Sequence, residues 1–250
     1  MKSKTTVIII CAIICTLKSL ATDYSQLELK ASRFYSQQEW ASASAMYGLM
    51  IDRRPDVPST YGRAIVASAM QGAPVADRMT LLSRSIEARI PLDSIFAVIC
   101  TNAFDLGKAC VYEDFLINVK QQYPWMTRTI DNYLLQYYTF RSDGQKMIEY
   151  SRIMLDGMPH NTLFLSSLAQ GYLLDGQYSE AMATYKTLLE YTPHNYTALL
   201  YLGNYYSDMA HNRHSDTEAR LLARQYLSEA NRLHPTPYVT RLLADPLLSE

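Results

Sequence analysis

Glycine and proline are scarce, nine and ten in 250 residues, too few turn formers for a β sandwich with many short strands. Leu, Ala, Met and Tyr carry much of the apolar content instead, which favours helix. Charge of either sign is also in short supply. The formal net charge is −1, so there is no electrostatic footprint for nucleic acid. A Gly-rich phosphate loop, G-x-S-x-G, H-E-x-x-H and paired C-x-x-C are all missing, and with them the usual machinery of catalysis. Neither catalytic residues, a metal nor a cofactor is expected. Adjacent acids such as Glu113 and Asp114 point in different directions on a helix and read as solvated faces. What is present argues against disorder: 48% of residues are apolar and 11% aromatic, enough for a substantial core. The expectation is an all-α, non-enzymatic protein.

The first 21 residues read separately. Met1 to Lys4 carry positive charge, Val7 to Leu17 form an apolar run broken by one Thr, and Ser19-Leu20-Ala21 supplies small residues for cleavage; this is the pattern of a secretory signal peptide. An 11-residue helix rises only roughly 16 Å, against roughly 30 Å for a bilayer core, so contact with a membrane is expected only through the signal before its removal. Cys11 and Cys15 follow no small residue of the kind that precedes a lipidated cysteine. Cleavage after Ala21 removes Lys2, Lys4 and Lys18 and no acid, leaving 20 basic and 24 acidic side chains, a net charge of −4. The expected location is periplasmic or secreted. Of the four cysteines only Cys100 and Cys110 would remain. Two thiols cannot make a disulfide framework; they either bridge the third helical hairpin or serve as small buried residues.

Self-comparison is the informative step. Pro159-His160-Asn161 recurs as Pro193-His194-Asn195, and Leu165, Leu168, Ala169 and Tyr172 map onto Leu199, Leu202, Gly203 and Tyr206 at a period of 34. Between the triplets stand Gly176, Tyr178, Ala181, Tyr185, Leu188 and Pro193. This spacing resembles the tetratricopeptide repeat (TPR) pattern W-x2-L-G-x2-Y, followed by a turn Gly, Ala, an aromatic and Pro. The same spacing returns near the N-terminus as Leu27, Ala31, Phe34, Trp40, Ala43, Tyr47, Met50 and Pro55, with Lys30 in place of Leu and Gln38 in place of the turn Gly. The middle holds Tyr61 with Gly72-Ala73-Pro74 and Pro91, then Phe96, Gly107 and Pro124, then Ile130, Tyr133, Leu134, Tyr137, Tyr150 and Pro159. The last of these sets fits with a one-residue slip between its helices.

The resemblance implies a right-handed superhelical solenoid over 22–250, built of about six TPR-like helix-turn-helix units at 24–57, 58–91, 92–125, 126–160, 161–195 and 196–236, then a cap and tail over 237–250. One unit cannot bury its apolar face alone, so neighbours must stack. Small residues such as Ala169, Ala181 and Gly203 would let paired helices approach, and Tyr172, Tyr178, Tyr185 and Tyr206 would fill the space between hairpins. Asn161 and Asn195 sit where helix N-caps are wanted. A last helix is expected over 237–245.

Such an array has a groove lined by first helices, where the phase places Tyr35, Arg63, Thr101, Tyr138, Gln170, Tyr201 and Asn204. The family's Lys/Asn/Arg clamp on a peptide's terminal carboxylate is not matched, since this series is mostly neutral and holds no clustered lysines. The last unit carries about eight extra residues between Tyr206 and Ala223, including His211 and His214. They read as a surface loop over 207–217 whose Ser215 and Glu218 make a capping box, and the two histidines are its candidates for a specific contact. Asp93-Ser94-Ile95 resembles a short O-glycosylation signal of Bacteroides-type bacteria, and Asn195-Tyr196-Thr197 is an N-glycosylation acceptor in a eukaryotic host. The expected function is an exported, Bacteroidetes-like TPR scaffold that docks a protein or peptide in its groove. The alternative is a small-ligand or glycan-binding module that uses groove tyrosines and the 207–217 segment.

Overall fold

A computed structural model of the protein describes residues 23–212 and 216–249. Its recurring event is a residue in the left-handed backbone region: Gln38, Gly72, Gly107, Ser142 and Gly176, with φ between 54° and 75°, stand 34, 35, 35 and 34 residues apart. After each, a backbone N–H reaches back five residues: Glu39 to Phe34, Ala73 to Ser68, Lys108 to Ala103, Asp143 to Tyr138 and Gln177 to Tyr172, at 2.8–3.1 Å. That bond satisfies an orphan carbonyl at the helix end, and the left-handed residue turns the chain. Each such turn joins the two helices of one hairpin.

Contacts divide the chain into two compact units, Met1–Pro124 and Trp125–Glu250. The described part of the first holds α1 (23–36), α2 (Trp40–Arg53), α3 (Pro58–Met70), α4 (Val75–Glu87), α5 (Leu92–Asp105) and α6 (Ala109–Gln122). Pro58 starts α3 at its first position, where its missing N–H has no partner to lose. Ala31 and Ala43 are fully buried, and Tyr47, Tyr61, Phe96 and Phe115 form the bulk of the core around them. Phe96 and Phe115 meet edge to face at 5.7 Å.

A short 3-10 turn, Pro124–Met126, leads into α7 (Thr127–Arg141), α8 (Gly144–Gly157), α9 (Thr162–Leu174), α10 (Tyr178–Tyr191), α11 (Tyr196–Asn212), α12 (Thr217–Leu233), α13 (Pro237–Leu243) and α14 (Pro246–Ser249). Consecutive helices pack on one another. Asn161 Oδ1 accepts from the Leu163 and Phe164 N–H groups, and Asn195 Oδ1 from Ala198 N–H, which is the capping role the triplets announced. Gly203 lies so close to α12 that a Cβ there would sit 2.6 Å from Leu227 Cδ2. No strand occurs among the described residues, and no described helix is long and apolar enough to cross a membrane. The expected signal peptide, residues 1–21, lies outside the described residues.

The structure corrects several local expectations. The buried series of α7, Ile130, Leu134 and Tyr138, sits 34 residues before Phe164, Leu168 and Tyr172. Tyr138, rather than Tyr137, therefore holds the Tyr172 place, and no slip between the helices of that hairpin is needed. The extra residues of the last hairpin are largely helix, not loop: α11 runs on to Asn212, and fully buried Ala210 stands where another turn was due. The cap of α12 is Asp216, which accepts from Ala219 N–H at 3.0 Å; Ser215, the expected cap, lies outside the described residues. The final helix stops at Leu243, and α14 then starts at Pro246 and buries Leu248. Cys100 and Cys110 are free thiols, one half-buried and the other exposed, so they are not bridged and Cys110 is not a packing residue.

Candidate partner-binding face

The hairpin geometry separates first helices from second helices, and in the Trp125–Glu250 unit the first helices α7, α9 and α11 line two hollows. One, of about 390 Å³, is walled by Asn132, Leu135, Gln136, Thr139 and Phe140 of α7 and by Leu163, Phe164 and Ser167 of α9. Leu163 is 74% exposed, a large apolar side chain left at the rim. The other, of about 580 Å³, is lined by Tyr178, Tyr201, Asn204, Tyr205, Asp208, Met209 and Asn212. All but Tyr178 come from α11, at steps of three and four residues that hold one helical face. A third hollow of about 600 Å³ lies against α10 and α12, where His194, Glu229 and Arg232 meet. Its charges are already satisfied: Arg232 and then His194 hold the Glu229 carboxyl down to about 2.

The α11 hollow has a defined framework. The Tyr201 hydroxyl donates to the Tyr178 carbonyl at 3.3 Å, and the Tyr238 hydroxyl of α13 donates to Asn204 Oδ1 at 3.1 Å. The Tyr201 ring packs 4.8 Å from Tyr185 and 6.3 Å from Tyr205. Burial, with help from neighbouring tyrosines, pushes the Tyr201 phenol up to about 12, so it stays neutral and a hydrogen-bond donor through the physiological range.

Of the residues expected to line a groove, Tyr201 and Asn204 come together in this hollow, and Gln170 is exposed on α9. Tyr138 does not face outward. It is only 4% exposed and stacks on Tyr150 at 5.4 Å, because it occupies the packing position of the repeat and not the position after it. In the Met1–Pro124 unit Tyr35 is half-buried edge to face with Trp40 and Tyr47, and its hydroxyl is buried without a hydrogen-bond partner. That ring is a packing element too, and burial raises its phenol well above the ordinary range. Half-buried Arg63 places its charge near both phenols, and Thr101 is exposed on α5.

His211 is committed elsewhere. It lies in α11 rather than a loop; Nδ1 meets the Ser207 carbonyl at 2.8 Å and Nε2 meets an Asp245 carboxylate oxygen at 3.0 Å, an arrangement in which the protonated ring donates to both. It thereby fastens the turn between α13 and α14 to α11. His214 lies outside the described residues. Among the described residues no group of three His, Cys, Asp or Glu side chains is placed to hold a metal ion.

Tyr178, Tyr205, Asp208, Met209 and Asn212 were not anticipated at this site. Tyr178 was expected in the core, but as the first residue of α10 it projects beyond the hairpin contact and is 61% exposed. The others carry a legible signal, since 201, 205, 208 and 212 follow helical spacing. It was hidden by the expectation that the helix ends near 207.

Helical hairpins, five of them closed by a left-handed residue at intervals of 34 or 35, pack on one another within each of the two units and define a tetratricopeptide-like all-α fold. No protein-family model matches the chain, and no curated protein matches it in sequence. Among solved structures it is similar to a provisionally named protein-binding protein of Bacteroides ovatus ATCC 8483, at a TM-score of 0.53 and 18% identity over 70% of this chain and 97% of that one. It is also aligned with the C-terminal part of a TPR repeat-containing protein of Cytophaga hutchinsonii (TM-score 0.46, 14% identity, 81% of this chain and 77% of that one). A tetratricopeptide repeat protein of Parabacteroides merdae ATCC 43184 aligns at a TM-score of 0.40 and 13% identity, over 91% of this chain and 99% of that one. At 18% identity, the likeness to the Bacteroides ovatus protein is one of fold.

Proposed function

We propose that this chain is an exported, non-catalytic TPR scaffold of a Bacteroidetes-like bacterium, working in the periplasm or outside the cell, that docks a protein segment on the first-helix face. The observation that carries the reading is the pair of hollows lined by α7, α9 and α11, with Leu163 and Tyr178 left exposed beside them. Large apolar side chains gathered at open hollows are a mark of interaction sites. The provisional protein-binding name of the Bacteroides ovatus structure agrees with this use of the fold. An extended peptide or an amphipathic helix would present side chains at a spacing that such hollows accept.

The test is site-specific photo-crosslinking in the native host. A photoreactive residue at exposed Gln136 or Gln170 is expected to give one discrete protein adduct, and one at Glu190, exposed on α10, none. Equal labelling from all three positions, or none from the first two, refutes the docking face. Export is tested by recovering the chain from the periplasm or medium with its N-terminus at Thr22; recovery from the cytoplasm with residues 1–21 attached refutes it. A small-ligand or glycan module is the second reading, favoured by the three tyrosines around one hollow. Glycan-array binding without a protein adduct would decide for it.

A further inference from the structure

The α11 hollow combines aromatic surface with one exposed carboxylate that no described residue neutralises. Asp208 takes part in no ion pair with a described residue, unlike Glu149, which pairs with Lys146, Glu229, which pairs with Arg232 and His194, and Asp245, which pairs with His211. His211, one turn along α11, feels the Asp208 charge, but its ring nitrogens are spent on Ser207 and Asp245. Tyr201 and Tyr205 present rings tilted by 34° at 6.3 Å, a continuous surface too closely spaced to admit a ring between them. Asn204 is held through its oxygen by Tyr238.

We propose that this hollow receives the guanidinium of an arginine carried by the docked segment, laid on the Tyr201 and Tyr205 faces and paired with Asp208. The proposal rests on the scaffold reading and specifies its partner's chemistry. A cation over a tyrosine face is attracted by the ring quadrupole, and a carboxylate at the edge of that surface adds charge-assisted hydrogen bonds. A neutral side chain would leave Asp208 unmatched, and an acidic one would meet like charge. Lysine could use either element, but its compact ammonium cannot stack flat on a ring while offering two parallel N–H donors; arginine does both. The volume of about 580 Å³ exceeds one guanidinium and leaves room for the flanking main chain, to which the Asn204 amide N–H2 can donate.

The intact chain, labelled with carbon-13 in its tyrosine rings, is titrated with the blocked peptide acetyl-Gly-Ser-Arg-Ser-Gly-amide and followed by NMR. Saturable shifts of the Tyr201 and Tyr205 rings are expected, assigned with Y201F and Y205L. The lysine version should bind about 5-fold more weakly, and the glutamine version should produce no saturable shift. D208N, at an exposed position and checked by unchanged circular dichroism, should weaken the arginine peptide about 5- to 10-fold. Equal binding of the glutamine peptide, unchanged binding by D208N, or silent rings at high peptide concentration would overturn the proposal. So would equal affinity for free arginine amide, which would make the site one for a small cation. Crosslinking from Gln170 separates the two layers: an adduct that persists while the arginine peptide fails removes only this inference, and a missing adduct removes the scaffold reading.

Discussion

Replacing Gly203 by Ala tests the closeness of α11 to α12, on which both the core and the α11 hollow depend. A Cβ at 203 would lie 2.6 Å from Leu227 Cδ2, 2.7 Å from Leu227 Cγ and 3.3 Å from the Leu227 backbone nitrogen. Carbon atoms in good contact stand about 3.5–4.0 Å apart, so the shortfall is roughly 1 Å against a side chain that is itself fully buried. Overpacking of this kind costs about 1–3 kcal/mol, and the upper half of that range applies because a backbone atom limits relief by rotamer change. Alanine recovers about 1 kcal/mol of helix propensity. The net loss expected is about 1–2 kcal/mol, a fall of roughly 4–10 °C in Tm for a unit of this size, read by circular dichroism at 222 nm. Gly48→Ala is the control, since a Cβ added at that position in α2 would meet nothing within 4 Å; it should leave Tm unchanged or raise it. If Gly203→Ala behaves like Gly48→Ala, the close crossing does not exist and the reasoning fails. In the double variant with Leu227→Ala the two losses should be non-additive by about 1 kcal/mol or more.

Three further outcomes are expected. Ser142, left-handed at φ 54°, should become more stable by about 0.5–1 kcal/mol as glycine and less stable as valine, measured by urea denaturation. The His211 imidazole is raised above its ordinary value, first by the Ser207 carbonyl and further by Asp245, so protonated His211 stabilises the fold at low pH. That contribution is fully present below the unfolded histidine pKa and fades as pH rises through the higher folded value. Because the pair is well exposed, the effect should be a few tenths of a kcal/mol, visible as a Tm difference between pH 5.5 and 8 that Asp245→Asn reduces. Exposed Cys110 should react with a thiol reagent before half-buried Cys100, whose thiol burial pushes up; equal rates in the folded protein would contradict the placement of α5 and α6.

The helical fold was legible because the repeat writes its packing into residue type. Ala169, Ala181 and Gly203 mark close approach, and Tyr172, Tyr185 and Tyr206 are large side chains that the structure buries. The candidate face was legible only in part. Tyr201 and Asn204 follow from helical phase, but Tyr138 was misplaced by one position, and one position on a helix turns a side chain through about 100°. That rotation is the difference between a groove residue and a core residue. Tyr178 and Tyr185 look alike in the repeat pattern, yet one begins α10 and stands outside while the other lies about two helical turns further in and is buried.

The sequence alone determined the all-α class, the 34-residue hairpin period, the caps at Asn161 and Asn195 and the small residues at helix crossings, since all of these are local consequences of side-chain size, branching and hydrogen-bonding capacity. Only the tertiary structure decided that α11 runs on past residue 207. The burial of Ala210 against the α12 layer extends that helix past the position where every earlier hairpin turns. The extension brings Asp208 and Asn212 onto the face of Tyr201 and Tyr205 and commits His211 to the C-terminal cap. Packing between helices overrode a repeat that local pattern would have continued, because burying an apolar stripe outweighs the modest preference of a few residues for a turn.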